Sequence, residues 1–84
     1  MRVREVNLQP KTVKPGYIAG CAQVEVRDTA IILKGIKFEF NAGELRVTLP
    51  PNIELGEWAT RKITKAIAEE LVDEIRLGLI TPKS

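Results

Sequence analysis

The sequence predicts an α+β fold, in which a small antiparallel sheet of about four strands is followed by one C-terminal helix packed on it. Two patterns carry this prediction. Apolar residues alternate with polar ones through most of residues 2–49, whereas residues 60–77 repeat their apolar positions with helical spacing. The chain of 84 residues has no internal repeat or low-complexity tract, so residues 1–84 are expected to form a single domain.

The first strand is expected at about residues 2–9, because Val6 and Leu8 alternate with polar neighbours. The segment that follows, residues 10–16, contains two prolines and a glycine, which favour turns and interrupt strand pairing. It is therefore predicted to be a polar loop that carries two lysines.

The second and third strands are expected at about residues 17–27 and 30–40. Within the third strand the apolar residues change parity between Leu33 and Ile36. One extra residue at Lys34-Gly35, a β-bulge, would return them all to one face. With a two-residue turn at Asp28-Thr29, the predicted partners are Val26 and Ile31, Val24 and Leu33, Ala22 and Ile36, Gly20 and Phe38, and Ile18 and Phe40.

The fourth strand carries alternating apolar residues from Leu45 to Leu49. Pairing Phe40 with Leu45 requires a connection with an even number of residues. Either a tight turn at Ala42-Gly43 or a longer turn over residues 41–44 meets this requirement. Two prolines follow, and they are expected to end the strand because proline lacks the amide hydrogen.

One helix is expected over about residues 60–77, with Thr60 as its N-cap and Gly78 just beyond its end. Its apolar stripe is predicted to comprise Ile63, Ala66, Ile67, Leu71 and Ile75. A single stripe of this kind suits a helix that covers one face of the sheet.

The residue types give little support to an enzyme. Histidine is absent from the sequence, and the single cysteine, Cys21, has small apolar neighbours and is interpreted as a packed strand thiol. Neither a phosphate-binding glycine loop nor a metal-ligand spacing occurs in the sequence. No catalytic residue, cofactor, metal ion or small-molecule substrate is therefore expected.

Charge and hydropathy limit the partners and the compartment only weakly. Lysine and arginine number 13 against 11 acidic residues, and the net charge of +2 neither demands nor excludes a nucleic-acid partner. The first residues lack the apolar core of a secretory signal, and no apolar run is long enough to span a membrane. With a single cysteine and no internal disulfide, a cytoplasmic protein is expected.

The predicted helix carries its charges in the order that the helix dipole disfavours. Arg61, Lys62 and Lys65 lie near its start. A phosphate group or an acidic partner surface at this basic end would compensate, or else solvent screening makes the cost negligible. The second half of the helix is interpreted as a solvated acidic face with Glu69, Glu70, Asp73 and Glu74.

Two apolar features point to surface contacts. The only tryptophan, Trp58, is expected to close one end of the core or to form a subunit contact, with stacking on a nucleic-acid base as the alternative. On the second strand, Tyr17, Ala19 and Cys21 make the outward face less polar than a solvated face should be. Cover by a second subunit would explain this composition, so a homodimer is predicted.

The order of these segments resembles the stage V sporulation protein G (SpoVG) family. The likeness covers roughly residues 2–77 and rests on order and spacing more than on any single match. The matching segments are Ile32-Leu33-Lys34-Gly35-Ile36-Lys37-Phe38, Gly43-Glu44-Leu45-Arg46-Val47-Thr48-Leu49-Pro50, Gly56-Glu57-Trp58, and Thr60-Arg61-Lys62-Ile63 followed by Ala66-Ile67.

The resemblance implies a cytoplasmic, homodimeric regulator of septation and sporulation that binds DNA or RNA and is not an enzyme. Family members typically carry basic residues directly after the strand-ending proline, whereas residues 51–55 of this chain contain no cation. Salt-dependent phosphate contacts are therefore expected from Arg61, which stands at a matching helix position, and from Lys62 and Lys65 beside it. The competing interpretation is a protein-interaction or structural module whose charge-segregated helix docks a partner.

Overall fold

The computed structural model describes residues 2–80 as an antiparallel sheet followed by one helix, which confirms the predicted α+β fold. The elements are β1 (Val3–Lys14), β2 (Tyr17–Val26), β3 (Ile32–Asn41), β4 (Glu44–Thr48) and α1 (Glu57–Arg76). The strands pair in the order β1-β2-β3-β4, so β1 and β4 form the two edges of the sheet.

Strand β1 is longer than predicted. It continues through Pro10 to Lys14, so the prediction of a loop that begins at Pro10 is wrong. The turn to β2 is limited to Pro15-Gly16. Proline is tolerated because β1 is an edge strand, in which many amide hydrogens have no partner strand. The pairing with β2 shifts between Pro10 and Thr12, which makes Lys11 the extra residue of a β-bulge.

The predicted register between β2 and β3 is confirmed for four of the five predicted pairs, because Ile31 lies outside β3 and does not pair with Val26 in the ladder. The observed pairs are Ile18 and Phe40, Gly20 and Phe38, Ala22 and Ile36, and Val24 and Leu33. Between Ala22 and Val24 the pairing advances one residue further on β3 than on β2. The extra residue lies at Lys34-Gly35, where Gly35 has a φ of +74° that costs glycine little. The predicted bulge is thereby confirmed.

The connection between β2 and β3 spans residues 27–31 and is longer than the predicted two-residue turn. The connection still brings Val26 and Ile31 close together, since the N–H of Val26 donates to the carbonyl of Ile31 at 3.0 Å. The Thr29 hydroxyl donates to the carbonyl of Val26 and accepts from the N–H of Ile31, at 3.0 and 3.1 Å. Because Ile31 belongs to this connection rather than to β3, its side chain is 53% exposed.

The tight-turn alternative for the connection between β3 and β4 is the one observed. Ala42 and Gly43 have φ values of 51° and 86°, as a type I′ turn requires, and Phe40 pairs with Leu45. The last strand ends at Thr48, before the two prolines, as the sequence predicts.

Helix α1 begins earlier than predicted, at Glu57, and its N-cap is Gly56 rather than Thr60. The Thr60 hydroxyl does not cap the helix; it donates instead to the carbonyl of Gly56 at 3.1 Å, one turn back. Glu57, Trp58 and Ala59 contain no helix breaker, so the helix extends back to the glycine that precedes them.

Helix α1 ends as predicted, with Gly78 in the left-handed conformation (φ 74°) just beyond its last turn. The N–H of Gly78 donates to the carbonyl of Ile75 at 3.1 Å, and that of Leu79 to the carbonyl of Glu74 at 2.9 Å, which together form a Schellman motif. The chain then returns Ile80 to the core, where it is 4% exposed. Ile75 was predicted to be buried, but it is 39% exposed, and Ile80 supplies the apolar residue at this end of the core.

The core lies between α1 and one face of the sheet. Its buried residues are Leu8, Ile18, Ala22, Val24, Ile36, Phe38, Ile63, Ile67, Leu71 and Ile80. The three helical members confirm the central part of the predicted stripe, and Ala66 beside them is half-buried. Within residues 2–80 no element covers the opposite face of the sheet, so the side chains on that face are available for binding.

Candidate nucleic-acid interface

The predicted contact residues Arg61, Lys62 and Lys65 are all exposed and lie in the first half of α1. Because the helix starts at Glu57, an acidic side chain occupies its first turn, where the helix dipole favours negative charge. Nη2 of Arg61 lies 2.7 Å from Oε1 of Glu57 in a salt bridge. The charge order that suggested an external counterion is therefore compensated within the chain at Arg61.

Trp58 is 77% exposed, so the prediction that it closes one end of the core is wrong. It lies on the first turn of α1, away from the buried stripe that begins at Ile63. The guanidinium carbon of Arg61 lies 5.9 Å from the centre of the Trp58 ring, within the range of a cation–π interaction. The aromatic ring is thus held beside a cation and remains open to solvent.

The helical spacing places the exposed tryptophan and the predicted cations on one face. Trp58, Arg61, Lys62 and Lys65 stand at positions i, i+3, i+4 and i+7 of α1. Among residues 2–80, no salt bridge engages Lys62 or Lys65. We call these four residues the helix-start platform. It combines an aromatic surface with two unpaired ammonium groups, as sites for single-stranded nucleic acid do.

A second basic feature, absent from the sequence-based prediction, lies on the uncovered face of the sheet. A groove of about 480 Å³ is lined by residues from all four strands. Its charged residues are Lys11, Lys37, Arg46 and Glu39, and its floor includes Ala19 and Cys21. We call this feature the sheet groove.

The strand register explains the shape of the sheet groove. Ala19 and Cys21 of β2 carry short side chains, so the middle of the face is low. Lys37 stands directly opposite Cys21 on β3, and Arg46 follows on the edge strand β4. On the other side, the bulge in β1 places Lys11 at the rim. Cationic side chains from both halves of the sheet therefore flank a shallow floor.

Glu39 is the one carboxylate among the described residues that line the groove, and it accepts a hydrogen bond from Tyr17. The Tyr17 hydroxyl donates to Oε2 of Glu39 at 3.3 Å. Desolvation, followed by the charge of Glu39 and this hydrogen bond, raises the pKa of Tyr17. Although Glu39 stands opposite Arg46 in the ladder, no salt bridge between them forms in the described part of the chain. Arg46 therefore has no salt-bridge partner among residues 2–80.

Cys21 is a free thiol in the middle of β2 and is half-buried. The prediction of a packed strand thiol is confirmed for its position within the strand. The side chain lies on the uncovered face, however, where it lines the groove instead of packing in the core.

A sequence signal for the groove existed in the strand parity. Lys37 and Arg46 each neighbour a core-facing residue, Phe38 and Val47, so both had to point away from the helix. The third cation could not be placed in the same way. Lys11 was assigned to a loop, because a proline precedes it and the continuation of β1 was not predicted.

The acidic second half of α1 is only partly the solvated face that was predicted. Glu69 and Asp73 are exposed, whereas Glu70 and Glu74 are half-buried. Oε2 of Glu74 is buried without a hydrogen-bond partner among the described residues. Desolvation, and then the nearby carboxylate of Glu70, raise the pKa of Glu74.

Across residues 2–80, no cluster of acidic or cysteine side chains is arranged to hold a metal ion. The helix of this region is not long and apolar enough to cross a membrane. Comparisons of the chain with protein-family models, curated proteins and solved structures returned no match.

Proposed function

We propose that this protein is a non-enzymatic, cytoplasmic regulator that resembles the SpoVG family and binds single-stranded DNA or RNA through the helix-start platform. The observation that carries the proposal is the exposure of Trp58, at 77%, on the same helix face as three cations. The absence of histidine from the sequence supports a role in binding rather than catalysis. The link to septation and sporulation derives from the family resemblance alone.

The residues of the helix-start platform have different roles in binding. Arg61 is already paired with Glu57, so its main effect is to position the Trp58 ring and to polarise its face. Lys62 and Lys65 have no such partner among the described residues and supply the phosphate contacts. A base stacks on the tryptophan, which contributes roughly 1–3 kcal/mol of binding free energy.

The test is a titration of the protein with an unlabelled oligothymidine and the matching oligouridine strand at low and high salt. Trp58 is the only tryptophan, so quenching of its fluorescence reports stacking at this site directly. Replacing both lysines, Lys62→Ala with Lys65→Ala, should make the negative slope of log K against log salt shallower by about 1.4, because each single-strand phosphate contact contributes about −0.7.

The matched control is Lys34→Ala with Arg76→Ala, which removes the same charge from exposed positions outside the platform. This control should keep most of the salt dependence. An absence of binding at low salt, or an equal effect of the two double variants, would overturn the proposal.

Homodimerisation is the second part of the proposal and is supported by one apolar end of the molecule. Strand β1 begins beside the second half of α1, because Val3 and Asp73 line the same depression, and Val3 pairs with Val26 at the end of β2. The connection that follows β2 therefore lies at the same end as the end of α1. The exposed apolar residues at this end are Ile31, Val72, Ile75, Leu77 and Leu79. We call this surface the apolar end.

The apolar end also favours the competing function, a protein-interaction module, because clustered exposed apolar residues mark interaction sites. A second copy of the chain is the occupant proposed here. The uncovered sheet face, first expected to meet the second subunit, is less suited to it. Stacking two copies through that face would bury Lys11, Lys37 and Arg46 of each copy, while the groove supplies only Glu39 as a carboxylate to offset them.

A further inference from the structure

We infer that the sheet groove is a second binding site, separate from the helix-start platform, for the phosphodiester backbone of a single-stranded nucleic acid. The inference rests on the proposed function in one respect, since both assign a nucleic-acid ligand to the chain. It differs in its residues and in the face of the molecule, because α1 lies on the opposite side of the sheet.

The charge of the groove calls for an anionic ligand. Lys11, Lys37 and Arg46 line it, and none of them forms a salt bridge within the described residues. The single carboxylate, Glu39, accepts its hydrogen bond from Tyr17 instead of neutralising one of these cations. Unpaired cations beside an uncharged floor attract phosphates and release the counterions that accompany them.

The spacing of the cations points to an extended chain of phosphates. Lys11 belongs to β1, Lys37 to β3 and Arg46 to β4, so the cations span the whole width of the sheet. With neighbouring strands about 4.8 Å apart, β1 and β4 are separated by roughly 14 Å. A single phosphate is too small to occupy that width, whereas consecutive phosphates of one strand can cross it.

The shape of the face favours a single strand over a duplex. The grooves of DNA accept a protruding helix or a two-stranded ribbon. Here the protein surface is itself recessed at Ala19 and Cys21, so an extended strand can lie in it. The half-buried ring of Tyr17 is on the same face, two residues from Ala19 on β2, and offers an aromatic surface for a base. An acidic peptide without aromatic residues has no ring to stack on Tyr17.

Cys21 provides a direct reporter of occupancy. It is the only cysteine of the chain, it is unpaired and it lines the groove. A strand bound across the floor should slow its alkylation by iodoacetamide. We expect several-fold slower alkylation with saturating oligothymidine at about 50 mM salt. With one phosphate contact for each of the three cations, affinity should fall about 20-fold between 50 and 200 mM salt, so protection at a fixed strand concentration should fade.

The decisive variant is Lys37→Ala with Arg46→Ala, and its matched control is Lys34→Ala with Arg76→Ala. All four residues are exposed, so the fold should survive both pairs of changes. Each variant is first measured without nucleic acid, because loss of nearby cations changes thiol reactivity. Protection by the strand should disappear in the groove variant and persist in the control. Protection that survives in the groove variant would overturn the inference.

Three further probes separate the ligand classes. Equal protection by a free mononucleotide at the same phosphate concentration would overturn the extended-strand assignment. Equal protection by duplex DNA would overturn the single-strand assignment, and equal protection by polyglutamate would overturn the assignment to nucleic acid. Clear preference for the oligothymidine over all three supports the inference.

The two sites are distinguished by their reporters. Quenching of Trp58 without protection of Cys21 would leave the helix-start platform standing and overturn the sheet groove. Protection of Cys21 with unchanged Trp58 fluorescence would support the groove and overturn the platform. Absence of both effects at low salt would overturn both assignments.

Discussion

Gly20 determines how closely β1 approaches β2 beside the sheet groove. A Cβ atom at this position would lie 2.7 Å from Cα of Pro10 and closer still to the carbonyl oxygen of Gln9. Both are backbone atoms, so they cannot move without displacing β1 and its bulge. The glycine therefore supports the strand path that brings Lys11 to the groove.

Gly20→Ala should lower the free energy of unfolding by about 1–3 kcal/mol, the usual cost of overpacking. Urea denaturation followed by far-ultraviolet circular dichroism measures the change, since the exposed Trp58 is a poor fluorescence reporter of unfolding. Gly56→Ala is the control, because it meets no atom within 4 Å and has a φ of −65°. Its cost should be at most about 1 kcal/mol, from the weaker capping of α1. Equal losses in both variants would contradict the steric explanation.

At the scale of elements, predictions succeeded where local chemistry and parity agreed. The register of β2 and β3 followed from the alternation of apolar residues. The bulge at Lys34-Gly35 followed from one further requirement, that the apolar residues on both sides of it face the same way. The same reasoning failed at Pro10, because whether proline ends a strand depends on its being at an edge, which is a property of the whole sheet. It failed at Thr60 because the preceding residues can also form a helix, and a glycine N-cap gives a weaker signal than threonine.

The second half of α1 gives a pH-dependent prediction. The pKa of Glu74 is raised above its ordinary value of 4.5, so the folded state binds a proton more readily than the unfolded state. Stability from this group is therefore highest below about pH 4.5 and falls as the pH rises through the raised pKa. At neutral pH the charged, half-buried carboxylate disfavours the native state. Solvent screening of the half-exposed side chain limits the effect to about 1 kcal/mol.

Glu74→Gln should accordingly stabilise the protein at pH 7, and the gain should shrink as the pH approaches 4.5. Urea denaturation of both proteins across this range measures the difference. Glu69→Gln, at an exposed position of the same helix, is the control for removing one negative charge. A gain that is independent of pH, or one that Glu69→Gln reproduces, would argue against the role of the buried oxygen.

At the scale of the whole molecule, charge and apolar surface are distributed in a way that the near-neutral composition hides. A net charge of +2 gave no guidance about partners. The fold nevertheless gathers Lys11, Lys37 and Arg46 on one face and Lys62 and Lys65 on one side of α1. The helix cations were predictable because they are neighbours in sequence. The groove was predictable only in part: strand parity sets the face of Lys37 and Arg46, whereas Lys11 joins them only through pairing across four strands.

The apolar end leads to a prediction about assembly. Leu77 and Leu79 are 74% and 68% exposed, and burying such residues against a second copy would remove apolar surface from water at about 25 cal/mol per Å². Sedimentation velocity at micromolar concentration should therefore show a particle of about twice 9.4 kDa. Leu77→Ser with Leu79→Ser should shift it to the monomer while leaving the circular dichroism spectrum unchanged, because both side chains are largely outside the core.

Trp58→Ser is the matched control, since it removes an equally exposed apolar side chain from the first turn of α1, whereas both leucines follow its last turn. A wild-type monomer at this concentration, or loss of the dimer in the control as well, would contradict assembly through the apolar end.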